Sequence, residues 1–408
     1  MPSRLGVALV ALVALASATF GAALGAREGD EGDRGALPER ADRPLQQTSF
    51  LAEIVPVRRR VRPAPSGPPT ARDVADLVRR MAVERKVAQL FLVGFRGTDA
   101  SAEIFRRLAR LDLGGLVLDR QNYTDPAQLT ELTGEAAAIA QRRGHVPPWV
   151  LAAQDGAEFN ALPGLPPPSV PADLRSAEEA RAEASETAAT LRGLGVNGVL
   201  DPVVDVGFES GTALGARVYS DEADEVAAYA DAVVHAFRDK RLFGAAKHFP
   251  GLGAADQSTQ LGPASVGLDL DALRDRDLVA FGAAIGAGVP AVVLSHALYP
   301  MNDFTAPASL TRSIATDLLR RGLGFAGVAI TDDLADPAIT TSYSIPDAAV
   351  RAIRAGADMV YVSGTAGDQQ AAYEAVLRAT QDGAIPRRRL DEALRRVLAA
   401  KRDYGLIG

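Results

Sequence analysis

The chain has 408 residues, of which 44 are Lys or Arg and 51 are Asp or Glu, so its formal net charge is −7 at neutral pH. With 47% hydrophobic and 23% charged residues, the composition is typical of a globular protein rather than a disordered or fibrous one. The absence of cysteine excludes disulfide scaffolds and cysteine-ligated metal sites. The mild acidity argues against nucleic-acid binding, which needs clustered positive charge, so we expect a small or neutral ligand.

Residues 1–26 are predicted to be a signal peptide or, if they are not cleaved, an N-terminal membrane anchor. The stretch from Leu5 to Ala26 is mostly apolar, with a basic residue ahead of it and charged residues behind. Ala23 and Gly25 form a small-x-small cleavage pattern, although the stretch is also about long enough to span a bilayer. Both interpretations place the protein outside the cytoplasm, either secreted or in the cell envelope.

Residues 27–69 are predicted to be a disordered linker. They carry mixed charge and then Pro and Arg, without any sustained apolar period, and such a segment buries too little surface to offset its ordering entropy. The folded domain is therefore expected to cover residues 70–408.

Within that domain, eight short apolar runs alternate with helical patterns. The runs begin at Val87, Gly114, Trp149, Gly195, Gly244, Ala291, Gly327 and Ala357. They are continuously hydrophobic, as strands buried on both faces should be. The pattern predicts a (β/α)8 TIM barrel, and its spacing allows irregular strands and long βα loops. The alternative is a doubly wound open sheet, which is weakened because no dinucleotide or phosphate-loop fingerprint follows the first run.

The helical segments carry end signals. The segments SAEEARAEASETAATLRGLG and SIPDAAVRAIRAGAD begin at Ser176 and Ser344, each with an acidic residue in the first turn, and both lead to a glycine. A final helical pattern over residues 386–405 is expected to close the barrel wall.

Polar side chains follow five successive strand candidates. They are Asp155, Asp205, Lys247, His248, His296 and Asp332. Chemistry in such a barrel takes place at the carboxyl ends of the strands, so these residues form a predicted site. Taken singly, Asp205 is also compatible with a turn cap, His296 with a core histidine, and Lys247 with a buried partner of an acid. Together they favour function, because burying so many ionisable groups is costly.

The segment Lys247-His248-Phe249-Pro250-Gly251 resembles the signature of glycoside hydrolase family 3, particularly its single-domain bacterial β-N-acetylglucosaminidases. The resemblance runs from about Asp73 to Leu406. Further similar segments, in the family's order, cover residues 200–206, 215–221 and 309–334.

The resemblance implies a retaining glycosidase that needs no cofactor and acts on β-linked N-acetylglucosamine or a related envelope sugar. Asp332 matches the family's nucleophile, and Arg217, Lys247 and His248 match its sugar-hydroxyl binders. Asp155, Asp205 and His296 complete the predicted substrate-binding set. Alternation along the strand directs Asp332 into the barrel mouth and Asp333 away from it, where we interpret Asp333 as a turn or helix cap. Lys247 and Arg217 are expected to keep Asp332 ionised.

The sequence departs from the family at the acid/base loop. Relatives carry an Asp-x-His dyad where this chain has Ser258-Thr259-Gln260, and Gln260 has no titratable proton to donate. Asp256, in the same loop, is a candidate substitute acid; alternatively it is an ordinary surface carboxylate. Further departures are Ala153 in place of an acidic residue, Glu158 in place of a basic one, and Leu252 in place of a histidine.

Three functional interpretations remain open. The first is an active glycoside hydrolase. The second is a catalytically silent carbohydrate-binding protein of the cell envelope, because the dyad is missing. The third, a metal-dependent hydrolase using His248 and His296, is disfavoured because the chain has only four histidines without a close ligand pair.

Overall fold

The computed structural model describes residues 70–208, 213–302 and 304–407. The predicted signal peptide or anchor over residues 1–26 and the predicted linker over residues 27–69 lie outside these described residues.

The described residues contain eight parallel strands that close into one barrel. The strands are β1 Phe91–Val93, β2 Gly115–Leu118, β3 Trp149–Ala152, β4 Gly198–Val199, β5 Phe243–Phe249, β6 Ala291–Leu294, β7 Val328–Asp333 and β8 Met359–Val362. Each strand pairs with the next in chain order, and β8 returns to β1 with Val360 opposite Phe91. This closure confirms the predicted (β/α)8 barrel and excludes the open doubly wound sheet.

Helices alternate with the strands. They are α1 Thr70–Arg80, α2 Val83–Ala88, α3 Glu103–Arg110, α4 Pro126–Arg143, α5 Ala177–Gly193, α6 Ala223–Asp239, α7 Leu270–Asp275, α8 Asp277–Gly286, the π-type helix α9 Ser313–Gly322, α10 Pro337–Thr340, α11 Ile345–Ala355, α12 Ala366–Gln381 and α13 Arg387–Asp403. Short 3₁₀ turns lie at Arg120–Asn122, Ala157–Phe159, Pro171–Asp173, Gly215–Arg217, Pro300–Asn302 and Ala308–Leu310. Among the described helices, none is both long and apolar enough to cross a bilayer.

The predicted helix starts agree with the structure. The Ser176 hydroxyl accepts a hydrogen bond from the Glu179 amide at the start of α5, and the Ser344 hydroxyl accepts one from the Asp347 amide at the start of α11. Each hydroxyl satisfies an amide that has no partner within the helix.

Two strand predictions need correction at their ends. The apolar run that begins at Val87 starts in helix α2, and β1 begins only at Phe91. The run that begins at Gly195 contributes just the two residues of β4, and Pro202, three residues after the strand, has no N–H to continue the ladder.

The amino-terminal end of the barrel is filled by aromatic side chains. Trp149, the first residue of β3, is fully buried and stacks on Phe243, the first residue of β5, with 4.2 Å between the ring centroids. Tyr404, just beyond α13, meets both rings edge-on. These contacts pack the end of α13 against the barrel and stabilise it through burial of a large apolar area.

A buried ionic cluster joins β8 to helices α9 and α13. The fully buried Asp358 accepts hydrogen bonds from Arg389 at 2.7 Å and Arg396 at 3.0 Å, and it also pairs with Arg320. The Ala329 amide donates to the same carboxylate at 3.1 Å. Burial alone raises the pKa of Asp358, but the three guanidinium groups outweigh it and hold the pKa below its ordinary value.

A second buried polar network lies between α2 and α13. The Lys401 ammonium donates to the Gln89 side-chain oxygen at 2.8 Å, and the Gln89 amide donates to Asp112 at 2.9 Å. Arg85 pairs with the same Asp112 carboxylate. Burial lowers the pKa of Lys401 to about 7, because Asp112 compensates only part of the cost of burying the ammonium group.

We expect Lys401→Met to change how stability depends on pH. The folded pKa lies below the unfolded value of about 10.4, so the native state binds fewer protons than the unfolded state across this window. The stability of the wild type should therefore rise relative to the variant by about 2 kcal/mol between about pH 7 and pH 9. Urea unfolding at both pH values measures this difference, with Lys240→Met, an exposed lysine, as the control. If the difference in the free energy of unfolding between wild type and Lys401→Met were the same at both pH values, the prediction would be contradicted.

Candidate active site at the carboxyl ends of the strands

A cavity of about 390 Å³ opens at the carboxyl ends of the barrel strands. This volume is in the range of small-molecule sites. Of the predicted site residues, the cavity is lined by Asp155, Arg217, Lys247, His248 and Asp332. Additional polar lining comes from Asp119, Ser258, Thr259, Gln260, Asp333, Asp336 and Tyr361.

Asp332 lies near the end of β7 and faces this cavity. One carboxylate oxygen accepts a hydrogen bond from the Asp333 amide at 3.0 Å, and the other lies 3.9 Å from Nε2 of His248. Burial alone raises the pKa of Asp332, but its interactions with His248, His296 and Lys247 outweigh burial and lower the pKa. The group is therefore ionised at neutral pH, as a carboxylate nucleophile must be.

Lys247 and Arg217 converge on Asp155. The Lys247 ammonium donates to one Asp155 oxygen at 2.7 Å, and an Arg217 guanidinium nitrogen lies 3.7 Å from the other. Arg217 also lies 5.5 Å from the centre of the Phe159 ring. Burial alone lowers the pKa of Lys247, but Asp155 and Asp201 raise it above its ordinary value. The wall of the cavity is thus a rigid charged cluster suited to binding hydroxyl groups.

Asp201 belongs to the same cluster and was not predicted from the sequence. It is buried, and burial together with the Asp155 charge raises its pKa well above the ordinary value. Lys247 offsets only part of this effect, so the carboxyl group of Asp201 is harder to ionise than an isolated one. The sequence feature that could have identified Asp201 is its position two residues beyond the end of β4, closer to the strand end than Asp205.

Asp205 supports His248 from beneath the cavity. Its carboxylate accepts hydrogen bonds from the His248 amide at 3.0 Å, from His248 Nδ1 at 2.8 Å and from the Leu252 amide at 2.7 Å. A carboxylate acceptor places the imidazole proton on Nδ1 and leaves Nε2 facing Asp332. Asp205 is fully buried and does not line the cavity, so its predicted role as a substrate binder is corrected to that of a positioning residue.

We expect Asp205→Asn to lower kcat/KM by about 10²-fold, because the amide cannot accept all three hydrogen bonds and the imidazole loses its fixed orientation. The measurement is phenolate release from an activated N-acetyl-β-glucosaminide, the substrate class that the sequence resemblance implies, with a thermal melt to establish that the variant is folded. The exposed substitution Asp347→Asn serves as the control. Wild-type kinetics for Asp205→Asn would show that the orientation of His248 does not matter.

His296 is also behind the cavity wall. Its Nδ1 lies 2.8 Å from the Ser309 hydroxyl and its Nε2 lies 3.0 Å from the Asp333 carbonyl oxygen, which can only accept, so Nε2 carries the proton. Burial lowers the pKa of His296. His296 was predicted to bind substrate, but it does not line the cavity, and both of its ring nitrogens are used in holding the end of β7.

Asp333 acts as the predicted turn cap. Its carboxylate accepts hydrogen bonds from the Ala335 amide at 3.0 Å and the Ser363 amide at 2.9 Å, which join the ends of β7 and β8. It nevertheless borders the cavity rather than turning fully away from it.

The loop after β5 brings Ser258, Thr259 and Gln260 to the cavity, but not Asp256. Asp256 is exposed, and its carboxylate accepts a hydrogen bond from the Ser265 amide at 2.8 Å. The structure therefore does not place Asp256 where a substitute acid would need to be, since a general acid must reach the leaving oxygen. Ala153 lines the cavity, whereas Glu158 does not.

Asp336 lines the cavity and was missed by the sequence reasoning. Burial and the negative charges of Asp332 and Asp333 raise the pKa of Asp336 to about 9. Its position four residues after Asp332 was visible in the sequence, but its place beside the cavity was not.

Within the described ranges, no three His, Asp or Glu side chains are grouped closely enough to hold a metal ion. The metal-dependent hydrolase that the sequence disfavoured, which would use His248 and His296, has no ligand cluster in this part of the chain.

Comparison with known proteins identifies the family. Residues 82–400 match the family described as the glycosyl hydrolase family 3 N-terminal domain, and the chain belongs to this family. A β-hexosaminidase from Xanthomonas oryzae pv. oryzae is 32% identical over 285 residues, which cover 67% of this chain and 83% of that protein.

Two further similarities extend over more of the chain. A protein from Arthroderma benhamiae named an uncharacterized secreted glycosyl hydrolase is 28% identical over 77% of this chain and 92% of its own length. The structure of a family 3 β-N-acetylglucosaminidase from a Paenibacillus species superposes with a TM-score of 0.77 at 31% identity, over 80% of this chain. This chain covers only 64% of that longer protein.

Proposed function

We propose that this family 3 protein is a retaining glycosidase that hydrolyses β-linked N-acetylglucosamine or a related cell-envelope sugar, with Asp332 as the nucleophile. The observation that carries the proposal is Asp332 itself: an ionised carboxylate facing a cavity of sugar size, beside His248 and the Lys247–Asp155–Arg217 cluster. The names of the similar hexosaminidases support the substrate class.

In the first step a carboxylate oxygen of Asp332 attacks the anomeric carbon, and the bond from that carbon to the leaving oxygen breaks. The hydrogen bond from the Asp333 amide uses one oxygen of Asp332. The other oxygen, the one nearest His248, is the one we assign to attack. The product is a covalent ester between Asp332 and the sugar.

We assign the orientation of the substrate to the charged cluster of Lys247, Arg217 and Asp155. Lys247 and Arg217 donate hydrogen bonds only, whereas Asp155 accepts, so together they match the paired donor and acceptor character of sugar hydroxyl groups. Their mutual contacts hold them in place before substrate arrives, which reduces the entropy lost on binding. In the second step, water hydrolyses the ester and the original anomeric configuration is restored.

A catalytically silent carbohydrate-binding protein is the second candidate. The observation that favours it is the loop segment Ser258-Thr259-Gln260, which borders the cavity without a titratable group. The two candidates are separated by phenolate release from a 2,4-dinitrophenyl N-acetyl-β-glucosaminide, since this leaving group departs without protonation. Release that depends on Asp332 establishes the hydrolase; sugar binding without any release establishes the silent protein.

We also propose that the protein is exported and that its catalytic domain covers residues 70–408, behind a signal peptide or anchor over residues 1–26 and a linker over residues 27–69. The apolar stretch and its flanking charges support export, as does the relative named as secreted. N-terminal sequencing of the protein recovered from cell fractions tests this; an intact residue 1 in the cytosolic fraction would refute it.

A further inference from the structure

We propose that Asp336 is the general acid/base of this glycosidase, in the place of the Asp-x-His dyad that the chain lacks. The inference rests on the proposed retaining mechanism with Asp332 as nucleophile. It concerns a residue on the β7 side of the cavity, whereas the loop after β5 holds Ser258-Thr259-Gln260.

The first support is the position of Asp336. It borders the same cavity as Asp332, at the end of the tight turn in which its amide donates to the Asp333 carbonyl at 3.0 Å. The following segment is joined to the loop after β5, because the Ala338 amide donates to the Thr259 carbonyl at 3.1 Å. Asp336 thus lies where the end of β7 meets the loop that would otherwise supply the acid.

The second support is that the Asp336 carboxyl has no structural task. It precedes helix α10 but makes no capping hydrogen bond to that helix. In the part of the chain that the structure describes, it has no hydrogen-bond or ion-pair partner. By contrast, the carboxylates of Asp333 and Asp256 are occupied by backbone amides. A half-buried carboxyl without a partner is costly to retain and is free to donate to a ligand.

The third support is the charge around it. Asp332 and Asp333 face Asp336 from β7, Tyr361 lies nearby on β8, and Lys247 and His248 line the same cavity from β5. Burial and, after it, the two carboxylates raise the pKa of Asp336 to about 9, so the group carries a proton at neutral pH. Protonation is the state that a general acid needs before it meets its substrate.

With Asp336 as the acid/base, protons and bonds are accounted for in both the formation and the hydrolysis of the Asp332 ester. As Asp332 attacks the anomeric carbon, the proton of Asp336 moves to the leaving oxygen, which departs as a neutral alcohol. Esterification removes the charge of Asp332, and with it part of what raised the pKa of Asp336. Asp336 is then ionised and accepts a proton from the attacking water, the bond between Asp332 and the sugar breaks, and both carboxyl groups return to their starting states.

The test compares two leaving groups in the full chain. We expect Asp336→Asn to lower kcat/KM for 4-methylphenyl N-acetyl-β-glucosaminide by about 10² to 10⁴-fold, because this phenol needs protonation. For the 2,4-dinitrophenyl substrate the loss of kcat/KM should be less than about 10-fold. Asp271→Asn, the same change on an exposed side chain, is the matched control.

Azide provides a second readout that a structural role would not produce. With Asp336→Ala and the dinitrophenyl substrate, azide should raise kcat and yield the β-configured glycosyl azide, because a small anion replaces the base-activated water. The wild type should yield only the free sugar. The alkaline fall in the wild-type activity on the methylphenyl substrate should also disappear in Asp336→Asn.

The outcomes separate the two proposals. Equal losses on both substrates, no azide product, or the leaving-group effect appearing in Asp256→Asn instead would overturn the role of Asp336 while Asp332-dependent turnover stands. A wild-type protein that releases neither phenol would overturn the proposed function and this inference with it.

Discussion

Replacement of Asp332 by Asn is expected to abolish turnover of the dinitrophenyl N-acetyl-β-glucosaminide, with a loss of at least about 10⁴-fold in kcat. The amide has nearly the shape of the carboxylate but cannot form the glycosyl ester. The measurement bypasses proton donation, so it tests the nucleophile alone. Initial rates of phenolate release for wild type and variant, at matched protein concentration, give the result.

Two further measurements accompany the test of Asp332→Asn. The exposed substitution Asp347→Asn should leave the rate unchanged. In Asp332→Gly, azide can occupy the place of the missing carboxylate and should give the α-configured glycosyl azide, the opposite of the product expected when Asp336 is removed. Equal rates for wild type and Asp332→Asn would show that Asp332 is not the nucleophile.

The largest expected loss of stability comes from Asp358→Ala. The substitution leaves Arg320, Arg389 and Arg396 buried or half-buried without their shared counter-charge, and we expect the free energy of unfolding to fall by about 3–5 kcal/mol. Urea denaturation at neutral pH measures the change. Asp347→Ala breaks an exposed pair with Arg351 and should cost less than about 1 kcal/mol.

The pH dependence of this contribution has a definite sign. Because the folded pKa of Asp358 is depressed, its stabilisation is fully present above the unfolded value of about 4 and is lost as the pH falls through the lower folded value. The difference between wild type and Asp358→Ala should therefore shrink only below about pH 4. A similar cost for both alanine variants would show that the cluster is not a stabilising unit.

The barrel could be predicted from the sequence because burial on both faces makes its strands continuously apolar, and this pattern is visible in the amino-acid sequence. The first and last residues of the strands were harder to predict from the sequence. The run from Val87 is apolar enough to resemble a strand, yet Val87 and Ala88 are buried on a helix, and hydrophobicity alone does not separate the two. Pro202 was a readable signal that β4 is short.

The features of the site likewise divide into those that the sequence predicts and those that it does not. Asp332, Lys247 and His248 were found because they lie close to strand ends within recognisable motifs. The inward or outward direction of Asp205 and His296 was not predictable, because it depends on partners far along the chain, such as Ser309 and the Asp333 carbonyl. The pKa of Asp336 is raised first by burial, which only folding produces, and then by Asp332 and Asp333, which the sequence places four and three residues before it.

The aromatic packing at the amino-terminal end of the barrel provides an optical probe. Trp149 is the single tryptophan of the chain, fully buried against Phe243, and it lies at the opposite end of β3 from the cavity. Its fluorescence should be emitted at short wavelength in the native protein and shift to the red on unfolding. Substitutions around Asp332 or Asp336 can therefore be checked for intact folding by a signal that the altered residues do not touch.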